Sequence, residues 1–331
     1  MARTVAIVLN WRRPQETIDC VTSLVALGRD IDVVVVDNAS GDGSQATIEA
    51  ALARLVRGKG RAYRLISAGP YDRIASRAGK LDLLVVQAGD NGGYAAGNNV
   101  GLRIALARPD CEFIWILNND TTVADGRSHD ALCAKMDADP SIGICGSTVV
   151  YRSPEGLVQS WGGGTFNPVN GRCTPIGRRR RVSDPVDEDE VQRRLAYVNG
   201  AAAFVRRRFV EKIGPMTEDY FLYYEEIDWA WRAKGQFGLG YAADSEVVHT
   251  VGGTIGTDEF GNASPLSRYY FARNTLKFLA RRWPIALPAA VIMLTRELVV
   301  ELWRGRPRNA RAIWAAFMGQ PFPEQAPATP I

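Results

Sequence analysis

The sequence has few of the residues that build structural metal sites or disulfide frameworks. Its 331 residues include five cysteines and two histidines, and the cysteines form no Cys-x-x-Cys pair and no zinc-like spacing with the histidines. An odd number of scattered cysteines is typical of reduced thiols, and it predicts a cytoplasmic protein. The pattern therefore disfavours both a zinc-stabilised domain and a secreted, disulfide-linked one.

The sequence also lacks a strong excess of charge of one sign. Forty basic residues stand against 36 acidic ones, a net charge of +4, which does not predict nucleic acid as a partner. The basic residues are concentrated in segments, including 54–80 and 177–194. We interpret both segments as solvated surface loops, and contact of 54–80 with an anionic surface or an acceptor remains an alternative.

Long apolar runs are absent as well. The longest lies within 283–303 and is about a dozen residues, short of the roughly 20 that span a bilayer. Arginines flank it and a second apolar helix follows, so this region could lie on a membrane surface at the inner face of the plasma membrane, on the catalytic domain, or in a homodimer contact. The N-terminus leads directly into a predicted strand, and we expect no secretory signal.

Short β-branched runs alternate with segments of helical spacing. Apolar runs without polar alternation are typical of buried parallel strands, and Pro14 suits the first turn of a helix. The predicted strands are 4–9, 32–36, 81–87 and 112–120, and the predicted helices are 14–27 and 95–107. This order predicts an α/β fold with a mostly parallel central sheet, which places its ligands beyond the C-terminal ends of the strands.

Polar residues follow three of these strands. Asp37 ends a buried strand before a Gly-rich turn, where it can accept hydrogen bonds from a nucleoside or cap the turn. The triplet 118–120, Asn-Asn-Asp, supplies oxygen ligands of the kind a hard divalent cation prefers, although such clusters also make turns. Asn91 lies in the Gly-rich and Asn-rich segment 90–101, whose glycines would allow close approach of a ligand. That segment is neither a P-loop nor a dinucleotide fingerprint.

The segment 221–232, FLYYEEIDWAWR, places three carboxylates among aromatic side chains. A helix that begins near Glu225 would put Glu225 and Asp228 on one face. Buried carboxylates carry a desolvation cost unless they are paired, solvated or bound to a cation, whereas solvated ones simply suit a helix start. Farther on, His249 is either a core histidine or a metal ligand beside Asp120.

In this order, the motifs resemble those of family 2 inverting glycosyltransferases with the glycosyltransferase A fold, in the bacterial rhamnosyltransferase-like branch. The resemblance runs from about residue 5 to residue 282. Its carrying segments are VAIVLNWRRPQETIDCVTSL, VVVVDNASGDGS, NGGYAAGNNVGL, FIWILNNDTTV, YVNGAAAFVRRRFVEKIGPMTEDYFLYYEEIDWAWRAKG and VVHTVGG.

The resemblance implies a single Rossmann-like, nucleotide-binding catalytic domain. It would span 1–280, with a nucleotide-sugar-binding half at 1–125 and an acceptor-binding half at 126–280. An amphipathic helical appendage would follow at 281–320, and a disordered tail at 321–331.

The resemblance also implies roles at the metal site. The triplet 118–120 occupies the family's Asp-x-Asp position, whose last carboxylate binds Mg²⁺ or Mn²⁺ on the donor diphosphate. Because Asn118 stands at its first position, Asp120 would be its only charged ligand, and His249 becomes the expected second ligand. Asp37 would hold the nucleoside.

The stretch 225–228, EEID, matches the family's Glu-Asp-x-Asp segment, in which the second acidic residue serves as the catalytic base. That residue is Glu226 here, with Glu225 as the alternative. Asp228 would anchor the acceptor or orient the helix through Arg232. The residues predicted to bind the nucleotide sugar are Asn10, Asp37, Asn91, Gly92, Asn98, Asn118, Asn119 and Asp120. Those predicted to bind the acceptor are Trp161, Asn199, Gly200, Tyr224 and Trp229.

The predicted reaction is a single displacement. An acceptor hydroxyl, deprotonated by the base, would attack the sugar of a dTDP- or UDP-linked donor, with rhamnose as the first candidate. The acceptor would be a cell-surface glycan or a polyprenyl-linked saccharide. A nucleotidyltransferase and a non-catalytic carbohydrate-binding protein of the same fold are the alternatives.

Overall fold

The computed structural model describes residues 3–58, 63–67, 81–250 and 263–323, so most of the basic segment 54–80 and of the predicted tail lies outside it. The chain divides into two compact units. The larger unit comprises 1–165, 175–219 and 225–250, and the smaller comprises 166–174, 220–224 and 251–331.

Strands and helices alternate through the first half of the larger unit. In chain order they are β1 (Arg3–Asn10), α1 (Pro14–Ala26), β2 (Ile31–Asp37), α2 (Ser44–Gly58), β3 (Tyr63–Ser67), β4 (Leu81–Gln87), α3 (Gly93–Leu106), β5 (Cys111–Asn118), β6 (Thr121–Thr122) and α4 (Gly126–Ala138). The predicted strands and helices of this half are confirmed, with ends that move by up to two residues.

Two long strands, several short strands and short helices follow in the chain up to residue 250. They are β7 (Ile142–Tyr151), β8 (Val158–Trp161), β9 (Gly163–Asn167), β10 (Arg172–Pro175), α5 (Glu188–Arg194), β11 (Tyr197–Val198), β12 (Ala202–Arg206), α6 (Arg207–Ile213), α7 (Glu225–Ala233) and β13 (Gly238–His249). The central sheet has the order β3-β4-β2-β1-β5-β12-β7-β13-β6, with β8 beside β7. Strands β1 to β5 run parallel, while β12 is antiparallel to β5 and β7. The predicted α/β class with a mostly parallel sheet is confirmed.

The register of the parallel strands brings polar side chains together at one edge. Asn10, the last residue of β1, lies opposite Asp37 of β2. Asp37 in turn lies opposite Gln87 of β4. Because both faces of these strands are covered, their apolar residues fill two core layers, and polar groups lie toward the strand ends.

Two glycines let helix α3 approach β1 closely. A Cβ atom on Gly97 would lie 2.3 Å from a methyl group of Leu9, and one on Gly101 would lie 2.5 Å from a methyl group of Ile7. Such gaps are far below van der Waals contact, so only glycine fits at either position. The expectation that the glycines of 90–101 admit a ligand is therefore corrected for these two, which serve helix–sheet packing.

The smaller unit is helical in its C-terminal part. It contains α8 (Pro265–Arg282), α9 (Leu287–Trp303) and α10 (Pro307–Phe317), which share a core that includes Tyr269, Leu294 and Ile313. Among the described residues, no helix combines the length and apolar character needed to cross a membrane. By compactness α8 belongs to this unit, and the functional boundary predicted at residue 280 stays a prediction.

The short segment Tyr220–Tyr224 is held in an unusual conformation. Phe221, Tyr223 and Tyr224 have φ angles of 68°, 67° and 79°, values that non-glycine residues rarely adopt. The buried side chain of Asn274 donates to three carbonyl groups of this segment at 2.7–3.1 Å. These bonds satisfy backbone groups that neither a helix nor a sheet would otherwise pair.

Candidate active site

Asp37 lies at the centre of a buried hydrogen-bond network. Its Oδ1 accepts from the Asn10 amide at 2.6 Å and from the Ser40 hydroxyl at 2.5 Å. Its Oδ2 accepts from the Ser40 backbone N–H at 3.2 Å and from the Gln87 amide at 2.7 Å. A carboxylate has about four acceptor positions, and here all four are occupied. Of the donors, Gln87 alone is an exposed residue, so it is the donor that a ligand could most easily replace.

The two other polar residues predicted on this side serve different purposes. Asn91 accepts from the Asn38 amide at 2.9 Å and from the backbone N–H of Gly93 at 3.1 Å, and it shapes the loop that contains Gly92. The Asn98 amide donates to the carbonyl of Tyr94 at 3.0 Å, whereas its Oδ1 is buried without a hydrogen bond from any described residue. This oxygen can therefore still accept a hydrogen bond.

The predicted metal-binding triplet follows β5. The amide of Asn119 is buried and donates to the Thr17 hydroxyl at 3.2 Å, which ties the loop to helix α1. Asn118 donates its backbone N–H to the carbonyl of Ala201 at 3.0 Å. Asp120 is the only charged residue of the triplet, and its Oδ1 is buried with no hydrogen-bond donor among the described residues.

His249, the last residue of β13, faces this carboxylate. Its Nε2 lies 3.1 Å from Asp120 Oδ1, and its Nδ1 lies 2.8 Å from the amide oxygen of Gln159. A hydrogen on Nδ1 would be donated to the Gln159 amide oxygen, and Nε2, which also lies 3.4 Å from the amide nitrogen of Asn118, would then be an acceptor beside Asp120. Two acceptors that face each other need a proton or a cation between them.

The Asp120–His249 pair suits a divalent cation with open coordination positions. The described residues contain no group of three or more histidine, cysteine, aspartate or glutamate side chains placed to hold a metal. A carboxylate and an imidazole are nevertheless suitable ligands for Mn²⁺ or Mg²⁺, which take their remaining oxygens from water and from phosphate. The unpaired oxygen of Asp120 is the observation that favours this fit.

Glu225 and Glu226 begin helix α7, yet their environments differ. Glu225 is fully buried, and neither of its carboxylate oxygens accepts a hydrogen bond from a described residue. Burial, and next the charge of Glu226, raises the pKa of Glu225 well above its ordinary value. Glu226 is half-buried, and burial raises its pKa as well. Glu225 is therefore the member of the pair that retains its proton to higher pH.

Glu226 lies against the chain at Gly200. A Cβ atom on Gly200 would be 2.3 Å from Glu226 Oε1, so the carboxylate occupies space that only glycine leaves open. The Tyr94 hydroxyl donates to the Gly200 carbonyl at 2.6 Å. Burial, followed by the charges of the two glutamates, raises the pKa of Tyr94. The Glu226 carboxylate thus lies beside the Cα of Gly200, while the carbonyl of the next residue, Ala201, accepts from the backbone N–H of Asn118 in the triplet 118–120.

Asp228 has structural partners. Its Oδ2 accepts from the Thr217 hydroxyl at 2.6 Å and from Arg232 at 3.1 Å, and the side chain is almost fully buried. Arg232 also donates to the carbonyls of Ile213 and Pro215. Asp228 therefore fixes helix α7 to the turn that precedes it, and any contact with the acceptor stays a prediction.

The predicted acceptor residues divide by exposure. Trp161 is half-buried at the end of β8, and Asn199 bonds the Ser160 hydroxyl at 2.8 Å. Trp229 is buried, donates to the carbonyl of Gly214 and packs on Phe209 at a ring distance of 5.1 Å.

Tyr224 is also buried, and its hydroxyl bonds the carbonyl of Gly171 and the hydroxyl of Thr275, each at 2.7 Å. Both rings are enclosed by protein, so neither Tyr224 nor Trp229, two of the predicted acceptor residues, presents an open ring face to a sugar.

Sequence reasoning missed several residues that complete the site. They are Ser40 and Gln87 beside Asp37, Gln159 beside His249, and Tyr94 beside Gly200. Ser40 and Gln87 lie in or next to strand ends that had already been singled out. No sequence signal identifies Gln159, because its partner is 90 residues away.

The chain is similar in sequence to two kinds of curated glycosyltransferase, while no family model matches it. It is 25% identical over 174 residues to the low-salt glycan biosynthesis hexosyltransferase Agl10 of Haloferax volcanii, covering 51% of this chain. The match spans only about half of that relative, 52% of its length. It is 27% identical over 276 residues to an N-acetylglucosaminyl-diphospho-decaprenol L-rhamnosyltransferase of Mycobacterium tuberculosis, covering 78% of this chain and 77% of the relative.

Solved structures share the fold. Mannosyltransferase PcManGT from Pyrobaculum calidifontis, in complex with GDP-Man and Mn²⁺, matches with a TM-score of 0.51 at 16% identity, covering 98% of this chain and 88% of that one. GalNAc-T7 with UDP, GalNAc and Mn²⁺ matches with a TM-score of 0.58 at 12% identity, covering 84% of this chain and 48% of that one. At these identities the structural likeness establishes the fold alone. The chain therefore has the glycosyltransferase A fold, and in sequence it is similar to glycosyltransferases, among them a hexosyltransferase and an L-rhamnosyltransferase.

Proposed function

We propose that the chain transfers a hexose, with L-rhamnose as the first candidate, from a nucleoside-diphosphate sugar to a hydroxyl group of a polyprenyl-linked saccharide or growing glycan. The mycobacterial relative supports this choice, since its name states rhamnosyl transfer to a diphospho-decaprenol-linked sugar. Two observations together carry the proposal. Asp120 and His249 form a contact that suits a cation, and Glu226 is half-buried with a raised pKa.

The donor would lie across the C-terminal ends of the strands. Asp37 would accept a hydrogen bond from the nucleoside in place of the Gln87 amide, and Asn91, Gly92 and Asn98 line the neighbouring loop and helix start. Asp120 and His249 would hold Mg²⁺ or Mn²⁺, which offsets the charge that develops on the departing diphosphate. The structures of PcManGT with GDP-Man and of GalNAc-T7 with UDP each also contain Mn²⁺.

Glu226 is the proposed catalytic base. It takes the proton from the acceptor hydroxyl as that oxygen attacks the anomeric carbon, and the bond from that carbon to the diphosphate breaks in the same displacement. One displacement inverts the anomeric configuration, and no covalent enzyme intermediate forms. Incomplete solvation raises the basicity of Glu226, which favours proton removal near neutral pH. Trp161 and Asn199 remain the proposed acceptor contacts.

A nucleotide-binding panel followed by product analysis tests this function. We expect dTDP- or UDP-linked sugars to bind more tightly with Mn²⁺ than without it. With an N-acetylglucosaminyl-diphospho-prenol acceptor, we expect a product whose anomeric configuration, read by NMR coupling constants, is opposite to that of the donor. A product that retains the donor configuration would contradict the single displacement. Binding of no nucleotide sugar under either condition would contradict the function itself.

Substitutions at Gln87 and Asp37 should change nucleotide affinity in opposite directions if a nucleoside group replaces the Gln87 amide as a donor to Asp37. Gln87→Ala removes a competing donor, and we expect nucleoside diphosphates to bind up to about fivefold more tightly, the equivalent of one net hydrogen bond. Asp37→Asn removes the charged acceptor, and we expect binding to weaken roughly 10- to 100-fold. Calorimetric titration with UDP and dTDP measures both. Equal weakening by the two variants would show that Gln87 itself contacts the nucleotide.

A further inference from the structure

Helix α9 is apolar on both of its sides. Ala290 and Leu294 point into the core of the smaller unit, as the helical period requires. The opposite side, which we term the outer face of α9, also carries large apolar residues. They are Val291 (41% exposed), Ile292 (71%), Val299 (56%), Leu302 (53%) and Trp303 (87%).

An outer face of this kind is unusual for a helix at a protein surface. Surface helices normally turn a polar side to water, and a helix that is apolar all round is normally covered. Scattered exposed apolar residues need no explanation, but these five recur at spacings of three, four and seven and form one stripe. Ile285, 84% exposed, continues the apolar surface just before the helix. The stripe therefore indicates a contact surface.

The helical region that carries the outer face has a strong positive charge. Residues 263–323 contain ten arginine and lysine residues against two glutamates, so the positive charge of the whole chain is concentrated here. Both glutamates pair with Arg268, Glu301 at 2.8 Å and Glu297 at 3.5 Å. Arg296 lies at the edge of the stripe and Arg304 follows its end, and both are exposed.

Helix α10 adds a second basic and apolar surface in the same unit. Arg308, Arg311 and Trp314 recur every three residues on its exposed side. Arg308 and Arg311 line a concavity of about 420 Å³ together with Phe322. Guanidinium groups in such a concavity can donate to phosphate oxygens, while the neighbouring ring contacts apolar chains.

We propose that the outer face of α9, with Arg304, Arg308 and Arg311, docks on an anionic phospholipid bilayer. Apolar side chains would enter the boundary between headgroups and acyl chains, and the arginines would contact lipid phosphates. A second copy of the chain fits less well, because a two-fold contact through this surface would oppose two strongly positive units. The proposal goes beyond sugar transfer, and it holds or fails without any donor or acceptor.

Vesicle co-sedimentation with the full chain tests this surface. The probes are phosphatidylcholine vesicles with and without about 30% phosphatidylglycerol, an anionic lipid that attracts juxtamembrane arginines. We expect binding to the anionic vesicles only. Replacing Arg304, Arg308 and Arg311 with glutamine should weaken binding about 100-fold, since each charge near the surface contributes about a fivefold factor in affinity. Ile292→Ser with Val299→Ser should weaken it by a comparable amount.

The second basic cluster of the chain provides a matched control. Arg178, Arg180 and Arg181 are exposed in the larger unit, and their replacement with glutamine removes the same charge. We expect this variant to bind anionic vesicles like the wild type, and circular dichroism should show all three variants to be folded. Equal loss with the control variant would overturn the proposal. The proposal would also be overturned if the wild-type protein did not bind anionic vesicles but formed a dimer, and if Ile292→Ser with Val299→Ser dissociated that dimer.

Discussion

Glu226→Gln is expected to lower kcat about 100- to 10,000-fold, the range that loss of a general base produces. The variant keeps the size of the side chain and its position beside Gly200, while the amide cannot take a proton from the acceptor hydroxyl. Donor binding should be unchanged, because Asp37 and Asp120 are untouched. Steady-state kinetics with a calorimetric titration of the donor separate the two effects.

The adjacent glutamate is the matched control. Glu225 is fully buried, receives no hydrogen bond from the described residues and has a raised pKa, so it is neutral at pH values where an exposed glutamate is ionised. Glu225→Gln replaces one neutral group with another and should keep kcat within about tenfold of the wild type, well short of the loss of a base. The reverse pattern, an inactive Glu225→Gln and an active Glu226→Gln, would assign the base to Glu225.

The pH dependence of both rate and stability follows from the same burial. Since burial raises the pKa of Glu226, the acid limb of kcat/KM should lie above 4.5, the ordinary value for glutamate. As pH rises through 4.5, the unfolded chain releases the Glu225 proton while the folded chain keeps it. The free energy of unfolding should therefore fall with rising pH until Glu225 ionises in the folded state. Denaturant titrations of Glu225→Gln should show less of this fall.

Asp120→Ala should abolish the Mn²⁺ dependence of donor binding, because it removes the only charged ligand that the triplet offers. His249→Ala should weaken Mn²⁺ binding as well, since Nε2 is the other acceptor at that position. Gln159→Leu leaves both ligands in place but removes the acceptor that holds the His249 ring, and we expect a roughly 10- to 100-fold loss of metal affinity. Titration of Mn²⁺ into protein with nucleoside diphosphate measures all three.

Gln236→Leu is the control for the change in polarity, because Gln236 is exposed and belongs to the turn before β13. It should bind Mn²⁺ like the wild type. If Gln159→Leu matched this control while Asp120→Ala still lost the metal, the imidazole would not need its amide partner. If neither Asp120→Ala nor His249→Ala changed Mn²⁺ binding, the metal would be held elsewhere.

Strand periodicity was sufficient to predict where Asp37 and Asp120 would lie. Buried parallel strands are recognisable in a sequence as apolar runs, and the residue that follows each run lies at the ligand-binding edge of the sheet. That edge is the part of the site that depends on local sequence alone. The contact of His249 with Asp120 across 129 residues was one of two alternatives from the residues, and a resemblance made it the expected one, because pairing between distant strands leaves no local pattern.

Other features could not be predicted from local sequence, for physical reasons. Trp229 and Tyr224 are residue types that can stack on sugars. The same residue types also pack in protein cores, so the sequence alone does not separate the two roles. Gly97 was expected to admit a ligand, whereas its neighbour is Leu9 of β1. Gln87 could be recognised as a partner of Asp37 only from the register of β2 and β4, which places the two residues opposite each other.

Gly200 has a consequence for the comparison of related chains. A relative could keep Asp120, His249 and both glutamates and still carry alanine at this position. Its carboxylate would then have to rotate away from the place that Glu226 occupies here, since 2.3 Å separates that oxygen from the position of the missing Cβ. Such a chain would match every charged residue of the site and yet lack its arrangement. When related chains are compared, this uncharged position should be read together with the acidic residue beside it.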